Sequence, residues 1–169
     1  MLASPKRMIE SGFVKNLIDE AKQVQPNAID WTVDAIQEID YNSPCHIGEG
    51  TKIMRRQLPV HADAKGDFFL EPGEYDVSSN VYVEVPEGKA ALLILRSTFV
   101  RNGCVLASGL YDSGFKGNIG AVLHVNGPMT VEKGVRIGQI MFIDSDSVGK
   151  YAGGYNTTEG QHWKDKVVA

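Results

Sequence analysis

The chain has 169 residues, 43% of them apolar and 22% charged, with a formal net charge of -4. That is the size and balance of one globular domain able to bury a single core. The acidic balance excludes a protein that coats nucleic acid, since no basic excess neutralises phosphates, and no apolar run of about 18 residues offers a membrane helix.

The opening MLASPKRMIESGF carries charges and no apolar h-region, so no signal peptide is read there. Ser4-Pro5 reads as a helix start, with Ser4 as N-cap and Pro5 in the first turn. Ile9, Phe13, Leu17 and Ala21 continue it as an apolar stripe that Gly12 is placed to divide. Gln25-Pro26 ends the helical region, because the residue before a proline avoids the helical conformation. From Ile29 the period changes to two, and Ile29 to Ala35 reads as a half-buried strand. The segment from Ser43 to Lys65 is weakly patterned and reads as loop.

Further strand runs follow at Phe68 to Leu70, Val81 to Val85, Ala90 to Leu95, Val105 to Ala107, Ile119 to Val125 and Ile137 to Ile143. Turn signals such as Glu71-Pro72-Gly73, Pro86-Glu87-Gly88 and Glu132-Lys133-Gly134 separate them. Short strands with Gly and Pro turns predict an all-β sandwich or barrel, here with a short N-terminal helical segment. Residues 1–143 form the predicted domain, and residues 144–169 read as a mobile C-terminal arm. Cys45 and Cys104 make no CxxC pair and no zinc spacing, which points to a reducing compartment, the cytoplasm.

Motifs for a P-loop, an HExxH zinc helix and a GxSxG elbow are absent. Arg96-Ser97-Thr98 follows an apolar strand; a guanidinium beside two hydroxyls suits a phosphate, and equally reads as a polar strand end. Ser108 to Gly117 is a glycine-rich hairpin in which Asp112 is either a general base or a turn former. Arg136 and Gln139 are anion donors or solvated edge residues.

Together with Gln25 to Val33, Phe69 to Tyr75 and Tyr151 to Asn156, these segments resemble, in order and spacing, the dUTPase and dCTP deaminase superfamily. The resemblance covers nearly the whole chain. It implies a distorted β-barrel or jelly roll, a homotrimer with sites at subunit interfaces, and a deoxynucleotide substrate with Mg²⁺ carried on its triphosphate rather than on direct protein ligands. In that frame Asp112 activates the attacking water, and Phe115 lies under the deoxyribose. Arg96, Ser97 and Thr98 hold phosphates with support from Gln139, and Arg136 either joins them or ties motifs together. Arg101 matches a deaminase-type arginine five residues after Arg96. Backbone groups of the Leu106 to Leu110 hairpin, Ala107 and Leu110 among them, read the uracil edge. Asp30 supports the water shell of the metal, and Tyr155 stacks on the base as the arm closes. Gln161 and Lys164 are γ-phosphate candidates by residue type alone.

Deaminases of the superfamily shuttle protons through a glutamate, and the matching position here is Val122; no glutamate occurs between Gly88 and Val131. The expected reaction is therefore hydrolysis of dUTP to dUMP and pyrophosphate. The alternatives are a bifunctional dCTP deaminase and dUTPase, with His124 as a substitute acid two residues on, or a nucleotide-binding regulatory protein.

Overall fold

Pro5 opens a short helix α1 (Pro5–Glu10), although the Ser4 side chain makes no cap hydrogen bond. The helix stops because Gly12 takes a left-handed φ of 73°, which a residue with a Cβ adopts only with strain. The structure, a computed structural model describing residues 1–161, therefore departs from a continued helical stripe. Phe13 leads into a strand, β1 (Val14–Lys15), and helix resumes only as the single turn α2 (Glu20–Gln23), whose N-cap Asp19 accepts from the Lys22 amide.

The predicted strand from Ile29 to Ala35 is two strands, β2 (Ile29–Thr32) and β3 (Ala35–Ile39). β2 is buried on both faces, polar Asp30 and Thr32 included, so its alternation marks two packed surfaces instead of one wet one. The weakly patterned segment is not all loop: β4 (His46–Ile47) and β5 (Lys52–Ile53) make a small hairpin, and β6 (Gln57–Val60) pairs with β3.

The remaining strands are β7 (Asp67–Leu70), β8 (Gly73–Glu84), β9 (Lys89–Leu95), β10 (Val105–Ala107), β11 (Lys116–Val125), β12 (Met129–Glu132) and β13 (Arg136–Asp144). A single-turn helix, α3 (Ser97–Arg101), separates β9 from β10.

Strands of the largest sheet run β10-β11-β8-β3-β6, with β1 added to β8, and a second sheet runs β2-β13-β9. Every strand pairing is antiparallel. Side chains from both sheets, and from the separate β7-β12 pair, share one core, in which Trp31, Ile36, Leu70, Ile119, Ile137 and Ile140 are almost fully buried. This is an all-β fold with short helical pieces. Among the described residues no helix is long and apolar enough to cross a membrane.

β11 positions the site. Gly117, Ile119, Ala121, Leu123 and Val125 are buried on its core face, while Asn118, Gly120, Val122 and His124 alternate onto the other. The pleat therefore turns Asn118, Gly120 and Val122 toward a cavity outside the core.

Candidate active site

That cavity encloses about 510 Å³, within the range that holds a small-molecule ligand. Its floor is the outer face of the large sheet: Asn118, Gly120 and Val122 from β11, Asp76 from β8, and Ile39 and Gln57 from β3 and β6. The hairpin from Ala107 to Tyr111 forms one wall, and Tyr151 and Tyr155 of the C-terminal segment form another. Phe115 lies in the lining with its ring edge-on to Tyr111 at 4.9 Å and to Tyr151 at 5.8 Å, an aromatic corner that favours a flat ligand.

Tyr111 fixes the hairpin. Its hydroxyl donates to the Gly120 carbonyl at 2.7 Å and lies 3.2 Å from the Gly120 amide, while its backbone pairs with Ala91. Burial pushes its phenol up to about 12, so it stays a protonated donor at neutral pH.

The predicted hairpin residues Ala107 and Leu110 line this cavity, as do Phe115 and Tyr155. Asp112 does not. It is exposed and lines an adjoining cavity of about 450 Å³, formed with Ser113 and the loop from Ser145 to Lys150. Tyr151 is common to both cavities, and its amide donates to the Ser113 carbonyl at 2.7 Å.

A second cluster forms around Asp30, whose side chain is 1% exposed. Its Oδ1 accepts from Gln139 Nε2 at 2.9 Å and its Oδ2 from Arg136 Nη1 at 3.0 Å, with Arg96 Nε 3.6 Å away. Arg136 also donates to the Lys22 carbonyl at 2.7 Å, and Arg96 to the Arg136 carbonyl at 3.2 Å. Asp30 thus joins α2, β2, the end of β9 and β13. Arg136 and Gln139 are engaged in this joint, and both carboxylate oxygens of Asp30 are taken by nitrogen donors.

Ser97, Thr98 and Arg101 lie exposed on α3, outside the lining of either cavity. Within one chain, the candidate phosphate donors and the aromatic cavity are therefore separate. Of the C-terminal segment, Thr157 donates its amide to the Lys116 carbonyl at 2.8 Å and accepts from Tyr82 at 3.1 Å. Gln161 bonds Thr158 there, and Lys164 lies outside the described residues.

Sequence reasoning missed Asp76. The strand was expected to begin at Val81, whereas β8 starts at Gly73, and only a strand through Tyr75-Asp76-Val77 turns that carboxylate toward the cavity. The signal lay in Tyr75, Val77 and the residues after Gly73, but the turn at Pro72-Gly73 masked it.

Comparison with known proteins follows the same outline. A family model described as dCTP deaminase-like matches residues 4–145. A probable deoxyuridine 5'-triphosphate nucleotidohydrolase of Methanothermobacter thermautotrophicus is 31% identical over 154 residues, spanning 88% of this chain and 98% of the relative. A deoxyuridine 5'-triphosphate nucleotidohydrolase of Methanocaldococcus jannaschii is 30% identical over 152 residues, 88% and 97% of the two chains. A third, from Aeropyrum pernix and named as probable, is 30% identical over 159 residues, 92% and 97% of the two chains. Among solved structures, the 2'-deoxycytidine 5'-triphosphate deaminase of Agrobacterium tumefaciens aligns with a TM-score of 0.62 at 19% identity. That alignment covers 81% of this chain and 44% of the other, and it shows a shared fold.

Proposed function

Because the chain belongs to the dCTP deaminase-like family and its archaeal relatives are named as deoxyuridine triphosphate nucleotidohydrolases, we propose that it hydrolyses dUTP to dUMP and pyrophosphate. The observation that carries this reading is the cavity built on the third motif. Its hairpin from Ala107 to Leu110 forms one wall, and Phe115 and Tyr151 supply flat apolar surface for a base and sugar. A rigid backbone pattern rejects a wrong base strongly, because mismatched buried groups stay unbonded.

Val122 stands on the cavity floor where a deaminase of the superfamily carries its glutamate, and a side chain without a proton cannot pass one to a leaving amine. Ammonia release by that route is therefore not expected.

In this reading Asp112, exposed beside the aromatic cavity, takes the proton of the attacking water; such a base contributes about 10²–10⁴-fold. Arg96, Ser97, Thr98 and Arg101 supply donors for the triphosphate. The substrate is the Mg²⁺ complex of the triphosphate, and the metal arrives with it. Asp30, whose two carboxylate oxygens already accept from Arg136 and Gln139, is poorly suited to a metal's water shell.

The separation of α3 from the cavity within one chain favours a homotrimer in which a neighbour's α3 completes each site. The free Cys45 and Cys104 accord with a reducing, cytoplasmic location.

Pyrophosphate release from a panel of deoxy- and ribonucleoside triphosphates tests the reaction, and release from dUTP is expected to dominate the four common deoxynucleotides. Asp112→Asn should abolish turnover, by at least a hundredfold in kcat, while a non-hydrolysable dUTP analogue still binds. Parent-level hydrolysis by that variant would remove Asp112 from the role of base.

A further inference from the structure

Arg55 lies between β5 and β6 and lines the aromatic cavity. Among the described residues of that lining it is the one lysine or arginine. Its Nη1 donates to the Tyr41 and Ser43 carbonyls, both at 2.9 Å, and its Cζ lies 5.1 Å from the centre of the Tyr41 ring. The Tyr41 hydroxyl in turn donates to Glu74 of β8, whose other carboxylate oxygen lies 3.0 Å from His124 Nδ1 of β11. One nitrogen and one stacked face of the guanidinium are therefore held by groups tied to the large sheet.

Nε and Nη2 of Arg55 bond nothing among the described residues. A guanidinium has donors and no acceptor, so a ligand satisfies them with an acceptor. A planar fork whose position is already fixed loses little freedom in binding one. Charge alone suggests phosphate, but the surroundings argue against it. Across the cavity floor, Val122 of β11 is paired with Asp76 of β8 and Ala107 of β10, a row whose one ionisable side chain is an acid. Asp112, Ser97, Thr98 and Arg101, the residues proposed for the phosphate end, line no part of this cavity. The aromatic corner of Tyr111, Phe115 and Tyr151 favours a flat ring instead, and the acceptors on the edge of a uracil ring are its C2 and C4 carbonyl oxygens.

We propose that Arg55 is a substrate-binding residue that donates from Nε or Nη2 to a carbonyl oxygen of the pyrimidine base, with Tyr41 as the positioning residue behind it. The assignment rests on the nucleotide reading of the cavity. It leaves the phosphate chemistry untouched, and the products remain the monophosphate and pyrophosphate.

Sulfur accepts hydrogen bonds more weakly than oxygen, so exchanging one base oxygen for sulfur weakens one contact and keeps the phosphates as they are. The test compares kcat/KM for pyrophosphate release from dUTP, 2-thio-dUTP and 4-thio-dUTP in the parent and in Arg55→Met. A hydrogen bond from a charged donor corresponds to roughly 10- to 100-fold, so the preference of the parent for oxygen over sulfur at one of the two positions should shrink by roughly tenfold in the variant. The position that responds identifies the oxygen. If it is C4, Arg55→Met also loses discrimination against dCTP, which carries an amino group there. A merely loosened loop lowers all three substrates alike and leaves the ratios unmoved. Arg55→Lys, which keeps a cation but no fork, and Tyr41→Leu, which removes the ring behind it, should each shrink the same ratio less, and they carry the test if Arg55→Met does not fold.

Thio ratios equal in the parent and all three variants overturn the assignment while dUTP hydrolysis stands. So does a loss of affinity in Arg55→Met that is larger for the imido analogue of dUTP than for dUMP, which places the guanidinium on the phosphates. If the parent hydrolyses no nucleotide, the hydrolase reading fails instead. Calorimetric binding of dUMP and its 2-thio and 4-thio forms then measures the same ratios, and ratios that no variant moves would overturn the assignment in turn.

Discussion

A Cβ built on Gly138 falls 2.7 Å from both the Ile94 carbonyl oxygen and Trp31 Cε2, and it also meets Trp31 Nε1. The obstacles are backbone and a fully buried indole, neither of which can swing aside. Gly138→Ala should therefore destabilise the protein by about 1–3 kcal/mol or more, read as a lowered midpoint in urea. Full stability in that variant would mean that Trp31 is not seated against β13. Asp30, on the strand partner of this region, acts through charge. Removing its carboxylate in Asp30→Ala leaves Arg136 and Arg96 facing each other with no anion between them. Both guanidinium side chains are about 30% exposed, so water relieves part of the cost. The loss expected is at the lower end of ~3–5 kcal/mol, measured by urea unfolding. Asp30→Asn keeps an acceptor for one neighbour and should lose less.

At the scale of elements, Glu84 at the end of β8 fastens three strands. It receives Lys116 of β11 at 2.9 Å and Lys15 of β1 at 3.3 Å, and Lys15 also reaches Glu159 of the C-terminal segment at 3.8 Å. The Lys116 hydrogen bond, against the opposing effect of burial, holds the Glu84 carboxyl below the ordinary value of 4.5. A carboxyl lowered on folding stabilises the native state above its unfolded value, and that contribution disappears as pH falls through the lower, folded one. Glu84→Gln should thus cost about 1 kcal/mol or less at pH 7, since the lysines are largely solvated, and its stability should converge on that of the parent below about pH 4.5. A difference that persists at a pH low enough to protonate the carboxyl in the folded protein would assign Glu84 a packing role rather than an ionic one.

The strands most legible from sequence are those whose burial follows the period of two. β10 was read with its observed ends, and β9, β11 and β13 to within a few residues, because Gly and Pro turns bound them. Two kinds of element escaped. β3 was concealed because β2 is buried on both faces and the apolar-polar alternation runs unbroken through the crossing at Val33-Asp34, where exposed Asp34 reads as one more polar position. β6 carries Pro59 in an exposed edge pairing, which lowers its strand signal, and β4 and β5 are too short for a period to register. The site divides in the same way. The aromatic hairpin was readable because its residues are contiguous, whereas the Asp30 joint and the Asp76–Val122–Ala107 row depend on register across strands far apart in sequence.

At the scale of the whole molecule, the proposed site draws on two regions that lie apart within one chain. Its aromatic cavity lies on the outer face of the large sheet, and the hydroxyls and guanidinium of Ser97, Thr98 and Arg101 lie exposed on α3, away from that cavity. If a triphosphate is held by both, as proposed, a second copy brings them together, as closed cyclic symmetry does when one surface patch meets a different one on the next subunit. Under the proposed trimer, Asp112 of one subunit then works with Ser97 of another. Asp112→Asn lacks the base, and Ser97→Asp sets a negative charge against the triphosphate; each alone should be inactive, and both positions are exposed enough to leave folding intact. Co-expressed in equal amounts, the two variants form mixed trimers in which a given site draws an intact Asp112 half the time and an intact Ser97 half the time. Activity should return to about one quarter of the parent level. If the site lay within a single chain, every chain in the mixture would carry one defect and the activity would stay at the background of the separate variants, whatever the oligomeric state.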